Sequence, residues 1–350
     1  MVFGFHHRNA HFFGASGLDT AVRAVLSELH IGVSIFFTLS GFLITHRYAG
    51  RRFDGAGWRR YLLHRVARIW PVYLLLVLAT FAASYPTEGR ADQGRWLTEA
   101  LVSLTLAKGL MERWYLTGIT QSWSLTVEEG FYLLAPLGLG LGWRYGPGRA
   151  WPLLALGAAG LGLGLYAAVP ALGTPLFVLK ATIFGRLTEF LLGAAFAWAP
   201  RRAGSGRGPA GARATVGGAL GVLLALGMLV AVQRLTGQVS ITTWPGVLAN
   251  NLLVPLGTGW LLRGLSTEAT WLGCLLGSGP GQALGRASYC FYLLHMGVLP
   301  NALKPVLASW LPGAAGLGAL FGLLVLAALA LHRWVEQPAY RWLVRWAALA

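Results

Sequence analysis

Apolar runs of about 17–25 residues recur along this chain, and no other feature constrains its fold as strongly. At a rise of about 1.5 Å per residue, such a run crosses the roughly 30 Å hydrocarbon core of a bilayer as a helix. In lipid every backbone N–H and C=O must be bonded within the protein, which favours helices for runs of this length. The runs fall at about 1–13, 30–46, 62–83, 124–142, 150–169, 176–199, 214–232, 244–263, 284–303 and 314–334. The first is short, and the weaker stretch 96–111 reads as interfacial. The expected fold is an all-α integral membrane protein, a ten-helix polytopic bundle with a shortened first helix. A single domain over residues 1–350, with no appended soluble domain, is expected. Composition agrees: 11% of residues are charged, against about 25% in soluble domains. The 48 glycines suit helices that approach closely.

A net charge of +16 could suggest nucleic acid, but the distribution of the basic residues argues against it. They sit in short connections. Arg47, Arg51, Arg52, Arg59, Arg60, Arg65 and Arg68 link the second and third runs, and Arg201, Arg202, Arg207 and Arg213 the sixth and seventh. With ten alternating spans most of the 28 Lys and Arg fall on one side, which places both termini in the cytoplasm. The Gly-, Pro- and Arg-rich stretch 200–213 reads as a cytoplasmic linker, and 84–123 as the longest outer loop. Cys274 and Cys290 read as inert thiols, and no metal-binding spacing is present, so no metal is expected.

The chemistry concentrates in a few places. Gln121–Pro136 sets Glu128 and Glu129 at the mouth of an apolar helix, in a chain with only 12 acidic residues. An ionisable group entering a membrane marks a functional site by default. Glu128 is the candidate, whereas Glu129 is expected to be a solvated residue of the first helical turn. His6 lies in the first run, and ten-span topology brings it to a depth similar to that of Glu128. A histidine beside a carboxylate suits a general base that deprotonates a hydroxyl. His7 points about 100° away. Ser34, Thr38 and Gly41 share a helical face, with Ser40 adjacent, and suit either close helix packing or a ligand. Arg65 and Arg68, three apart, share a face that suits phosphate oxygens or lipid headgroups. Ser288, Tyr292 and His295 line one stripe of the ninth run. Glu336 is expected to pair with Arg333 or Arg341.

Taken together, Val2–His6, Gly32–Thr45, Arg65–Tyr73, Trp123–Pro136, Leu284–His295 and Trp334–Pro338 resemble acyltransferase family 3, the membrane O-acyltransferases of carbohydrates. The blocks occur in the family's order and run nearly end to end. The resemblance implies a ten-helix membrane domain that moves acetyl or another short acyl group, usually from acyl-coenzyme A, to a carbohydrate hydroxyl. It implies that His6 is catalytic and that Arg65 and Arg68 serve the acyl donor. The family's Trp-Ser-Leu…Glu motif falls on Trp123, Ser124 and Glu128. The family pattern has a basic residue 11 positions before its histidine, whereas Met1 stands five before His6. A misplaced start codon is the expected reason, and an inactive truncated homologue the other.

The expected activity is therefore acyl transfer from acyl-coenzyme A, with His6 and Glu128 catalytic and no bound cofactor. Arg65, Arg68, Ser34, Ser40, Trp123, Ser124, Tyr292 and His295 are the candidate substrate and acyl-coenzyme A contacts. The partners are acyl-coenzyme A, a carbohydrate or glycolipid acceptor and the lipid bilayer, here the inner membrane of a bacterium. Two rivals remain. A transporter of acyl groups or acylated glycans also needs buried ionisable groups, but it would tolerate loss of the basicity of His6. A polyprenyl-phosphate glycosyltransferase would need an acidic metal-binding pair, and Asp92 is isolated.

Overall fold

A computed structural model describes residues 1–9, 16–48, 54–198, 211–311 and 313–349. Among the described residues there are sixteen α-helices, beginning with α1 (Val2–His6), α2 (Gly17–Glu28), α3 (Ile31–Tyr48), α4 (Gly55–Ser84) and α5 (Gln93–Leu104). There follow α6 (Trp123–Tyr145), α7 (Pro147–Ala168), α8 (Pro175–Ala181), α9 (Ile183–Trp198), α10 (Arg213–Thr236) and α11 (Trp244–Thr267). The last are α12 (Trp271–Gly277), α13 (Gly279–Leu294), α14 (Val298–Trp310), α15 (Ala314–Leu331) and α16 (Gln337–Leu349). No strand occurs among the described residues. The chain forms two compact units, each built from two segments: Met1–Arg52 with Leu133–Ser278, and Phe53–Tyr132 with Gly279–Ala350.

The first unit is held together by glycines. A β-carbon added at Gly41 of α3 would stand 2.0 Å from the Phe190 carbonyl oxygen of α9. One added at Gly193 of α9 would stand 2.0 Å from that of Thr38. The two backbones therefore touch reciprocally, which only hydrogen-sized side chains allow. Helices α10 and α11 repeat the device: Gly218 meets the backbone of Leu261, Gly257 that of Val222 and Gly264 that of Thr215. Ala225 and Leu229 of α10, Ala249 and Val254 of α11 and Ile31 of α3 form an apolar core. Glu268 accepts from the Ala214 and Thr215 amides, at 2.8 and 2.9 Å, and so fills orphan donors at the start of α10.

In the second unit, Asp54 caps α4 by accepting from the Gly57 amide at 2.6 Å. Tyr73 donates to the Ser103 carbonyl at 2.6 Å, tying α4 to the end of α5. Tyr289 donates to the Ile69 carbonyl at 2.7 Å, tying α13 to α4. His64 and the Tyr340 hydroxyl, 2.9 Å apart, join α4 to α16.

Five apolar stretches of the described residues are long enough to cross a membrane: Gly17–Tyr48, Gly55–Gly89, Pro147–Ala168, Arg213–Thr236 and Ala314–Ala347. They contain the expected runs 30–46, 62–83, 214–232 and 314–334, and Pro147–Ala168 covers 150–169 except for its last residue. The runs 124–142 and 244–263 are the unbroken helices α6 and α11. Two expected spans are interrupted. Residues 176–199 divide at Thr182, whose backbone is extended and whose hydroxyl turns back to the Val178 carbonyl at 2.7 Å. Residues 284–303 divide after Leu294, where Gly297 takes a φ of 101° that suits only glycine. Hydropathy averages over a window and cannot register such a break. Run 1–13 enters the described structure only as α1, and most of linker 200–213 lies outside the described residues.

Candidate active-site residues

In the second unit the chemistry gathers around α6. Glu128, one turn into that helix, is 2% exposed, and the Tyr132 hydroxyl, one turn further on, donates to its carboxylate. The Tyr132 ring lies 5.2 Å beneath the Arg65 guanidinium, which also covers the Tyr61 ring at 5.4 Å. Tyr132 thus touches an anion with its polar tip and a cation with its face, both favourable in a low-dielectric setting. Arg68 departs from the expected pair, because it is exposed while Arg65 is half-buried. Residues three apart on a helix diverge by about 60°, enough here to send one guanidinium inward and leave the other outside. Glu129 also departs from expectation: it is half-buried, with one carboxylate oxygen shut off from solvent.

A second node joins the start of α6 to the end of α13. Ser124 Oγ lies 2.7 Å from the Tyr292 hydroxyl, which donates to the Gln121 carbonyl at 2.8 Å. The Gln121 amide returns bonds to the Tyr292 and Leu293 carbonyls at 3.1 and 2.8 Å. These last carbonyls of α13 lack partners inside the helix, so Gln121 caps it. His295 is buried and holds the Tyr292 carbonyl through Nδ1 at 2.6 Å. Trp123 lies half-buried at the first residue of α6. The expected stripe 288/292/295 shifts by one at its first position: Ser288 is exposed and bonds the Gly285 carbonyl, while Tyr289 is buried. A cavity of about 1000 Å³ reaches Thr120 and Met296, the chain neighbours of Gln121 and His295. Phe81, Trp96 and Tyr115 line it together with Glu88, Asp92, Glu99 and Glu112, which are four of the chain's 12 acidic residues, and with the basic residues Arg95, Arg113 and Lys304.

The first unit holds His6 at the end of α1, half-buried. His7 is buried, stacks on Phe3 at 4.2 Å and bonds the Phe3 carbonyl at 2.8 Å. His6 and Glu128, paired in the sequence reading, belong to different units. The first unit has its own histidine–carboxylate pair. His30 Nε2 lies 3.0 Å from Glu28 Oε2 and 3.2 Å from Ser240 Oγ. Glu28 also accepts from the Ser240 amide and hydroxyl. The Phe5 ring, next in the chain to His6, packs edge-on against His30 at 5.7 Å. Sequence reasoning missed this triad because Glu28 precedes the apolar run and Ser240 is more than 200 residues away.

Ser34 is fully buried, and its oxygen accepts from Arg186 at 3.2 Å and Asn250 at 2.8 Å. Arg186 pairs with Glu189 at 3.1 Å and donates to Asn251 at 2.8 Å, so a charge-balanced network surrounds the serine. These bonds join Ser34 on α3 to Arg186 on α9 and Asn250 on α11. Ser40 is buried on the same helix. The sequence signal for the network was available: Arg186 and Glu189 stand three apart inside an apolar run, the spacing of a helical ion pair. Glu336 pairs with His332 at 2.8 Å and accepts from the Cys290 thiol at 3.1 Å, in place of the expected Arg333 or Arg341.

A family model described as an acyltransferase domain matches residues 1–333. The chain belongs to acyltransferase family 3. Acyltransferase MdmB of Streptomyces mycarofaciens is 27% identical over 369 residues, covering 98% of this chain and 89% of that protein. No solved structure matches. The protein is accordingly an acyltransferase of a multi-pass membrane family.

Proposed function

We propose that the protein is a bacterial inner-membrane O-acyltransferase that moves a short acyl group, acetyl in the simplest case, from acyl-coenzyme A to a carbohydrate hydroxyl. Both termini are cytoplasmic in this reading. The observation that carries it is the cavity beside the Gln121–Ser124–Tyr292–His295 node. Its aromatic rings suit the apolar faces of a sugar, and ionised carboxylates accept bonds from hydroxyls. With Arg95, Arg113 and Lys304 beside the four carboxylates, the lining offers both donors and acceptors to the hydroxyls of a polyol.

His6 acts as the general base. It takes the proton of the acceptor hydroxyl as that oxygen attacks the thioester carbonyl. The carbon–sulfur bond breaks, and the coenzyme A thiolate leaves and is protonated. Glu128 is the second catalytic group. Its charge is held by Tyr132, whose ring also carries the Arg65 cation, and Arg65 and Arg68 serve the phosphates of the donor.

The test is transfer of radiolabelled acetyl from acetyl-coenzyme A to a panel of bacterial glycans by the purified protein in vesicles. Labelled glycan with the wild type and none with His6→Ala supports the reading. Full-rate transfer by His6→Ala removes His6 as the base. Glu99→Gln with Glu112→Gln should raise KM for the glycan and leave that for acetyl-coenzyme A unchanged, whereas the reverse result would assign the cavity to the donor.

A further inference from the structure

The second unit contains a cluster that the acyl-transfer chemistry does not use. Cys290 lies on α13, and His332 and Glu336 lie on the π-helical turn His332–Glu336 that joins α15 to α16. One donor atom from each residue lies within 4.8 Å of the other two. Cys290 is fully buried, Glu336 is 6% exposed and the His332 side chain is 13% exposed. Single π-turns are rare and recur at functional sites, because the extra residue re-aims side chains that a regular helix would direct elsewhere.

We propose that Cys290, His332 and Glu336 form a metal site for a borderline-soft divalent ion, zinc by preference. A thiolate, an imidazole and a carboxylate are the three donor types zinc takes, and three protein ligands leave a fourth position for water or a substrate atom. The donor set suits the charge of the ion: a thiolate and a carboxylate together bring −2 against the +2 of a divalent cation, the thiol giving up its proton on binding.

The imidazole must change tautomer. Nδ1, now bonded to Glu336 at 2.8 Å, gives its lone pair to the ion, and its proton is carried at Nε2 instead. Gln337 stands ready there, with its side-chain amide 2.9 Å from Nε2. A half-turn of that amide presents its oxygen to the new N–H, the outer contact that ligating histidines commonly have. Tetrahedral coordination places sulfur and nitrogen about 3.5 Å apart, so the ligands must shift by about 1 Å.

The experiment uses the full-length protein in detergent, stripped with a chelator and titrated with cobalt(II) as a spectroscopic stand-in for zinc. The expected result is one equivalent bound, with a thiolate-to-cobalt charge-transfer band and intense tetrahedral d–d bands, all displaced by zinc. The chain has only one other cysteine, Cys274, which is exposed. Cys274→Ser should keep the band and Cys290→Ser should lose it. Gln337→Ala should weaken binding by about 10–100-fold. Absence of the band from the wild type, or its loss in Cys274→Ser, overturns the proposal. Those two readings stand even if Cys290→Ser does not fold.

Discussion

Lys108 offers a sharp test of how the outer segment is held. It is fully buried and donates to the Thr117 and Ile119 carbonyls at 2.5 and 2.7 Å, closing the loop that leads into α6. Among the described residues no carboxylate pairs with it. Burial alone pushes its ammonium down from 10.5 to about 7. A lysine whose pKa falls on folding binds fewer protons in the folded than in the open state, so stability rises with pH between the two values. From pH 7 to 9 the open state keeps nearly one proton here, while the folded state goes from about half a proton to almost none. Integrating that difference gives about 2 kcal/mol of added stability, or about a 50-fold smaller opening constant. Amide exchange across residues 104–122, corrected for the intrinsic pH dependence of exchange, should show this slowing. Lys108→Met keeps the bulk and removes the titration. It should abolish the pH response and lower protection at both pH values, because two buried carbonyls lose a donor at about 1–3 kcal/mol each. Equal protection at pH 7 and 9, or a response that persists in Lys108→Met, would refute the reasoning.

Three further outcomes follow from the geometry. Tyr132→Phe deletes the hydroxyl that holds Glu128 and should destabilise the protein by about 1.5–3 kcal/mol, with acetyl transfer reduced at least about tenfold; both can be read from thermal unfolding and label transfer. Glu28→Ala strips partners from His30 and from both donors of Ser240, and should cost about 3–5 kcal/mol as a broken buried network, seen as a lowered melting temperature. Gly193→Ala drives a β-carbon into the Thr38 carbonyl and should cost about 1–3 kcal/mol by overpacking α3 against α9; an unchanged melting temperature would mean that these helices part freely.

The residues differ in how far their sequence neighbourhood foretold them. Glu128 was legible because a carboxylate inside an apolar run is expensive wherever the rest of the chain goes. Its partner Tyr132 sits one turn away on the same helix, a relation that spacing alone supplies. Arg65 was legible as a cation at a helix start, but its seat over Tyr132 was not, since that depends on how α4 packs against α6. The Gln121 cap on α13 and the Ser240 contact with Glu28 join residues more than 170 and 200 positions apart. No local pattern encodes them.

The sequence by itself determined the class: long apolar runs demand helices in lipid, and the motif order marks an acyltransferase of this family. It also located the expensive residues, because the cost of burying charge is a property of the side chain. Only the tertiary structure decided which of those residues have partners. It broke two of the expected spans, at Thr182 and after Leu294, engaged Ser34 with Arg186, and brought Cys290 to His332 and Glu336. The physical reason is range. Hydropathy and helical periodicity act over a few turns, whereas pairing a buried polar group requires atoms within about 3 Å that the chain delivers from anywhere along its length.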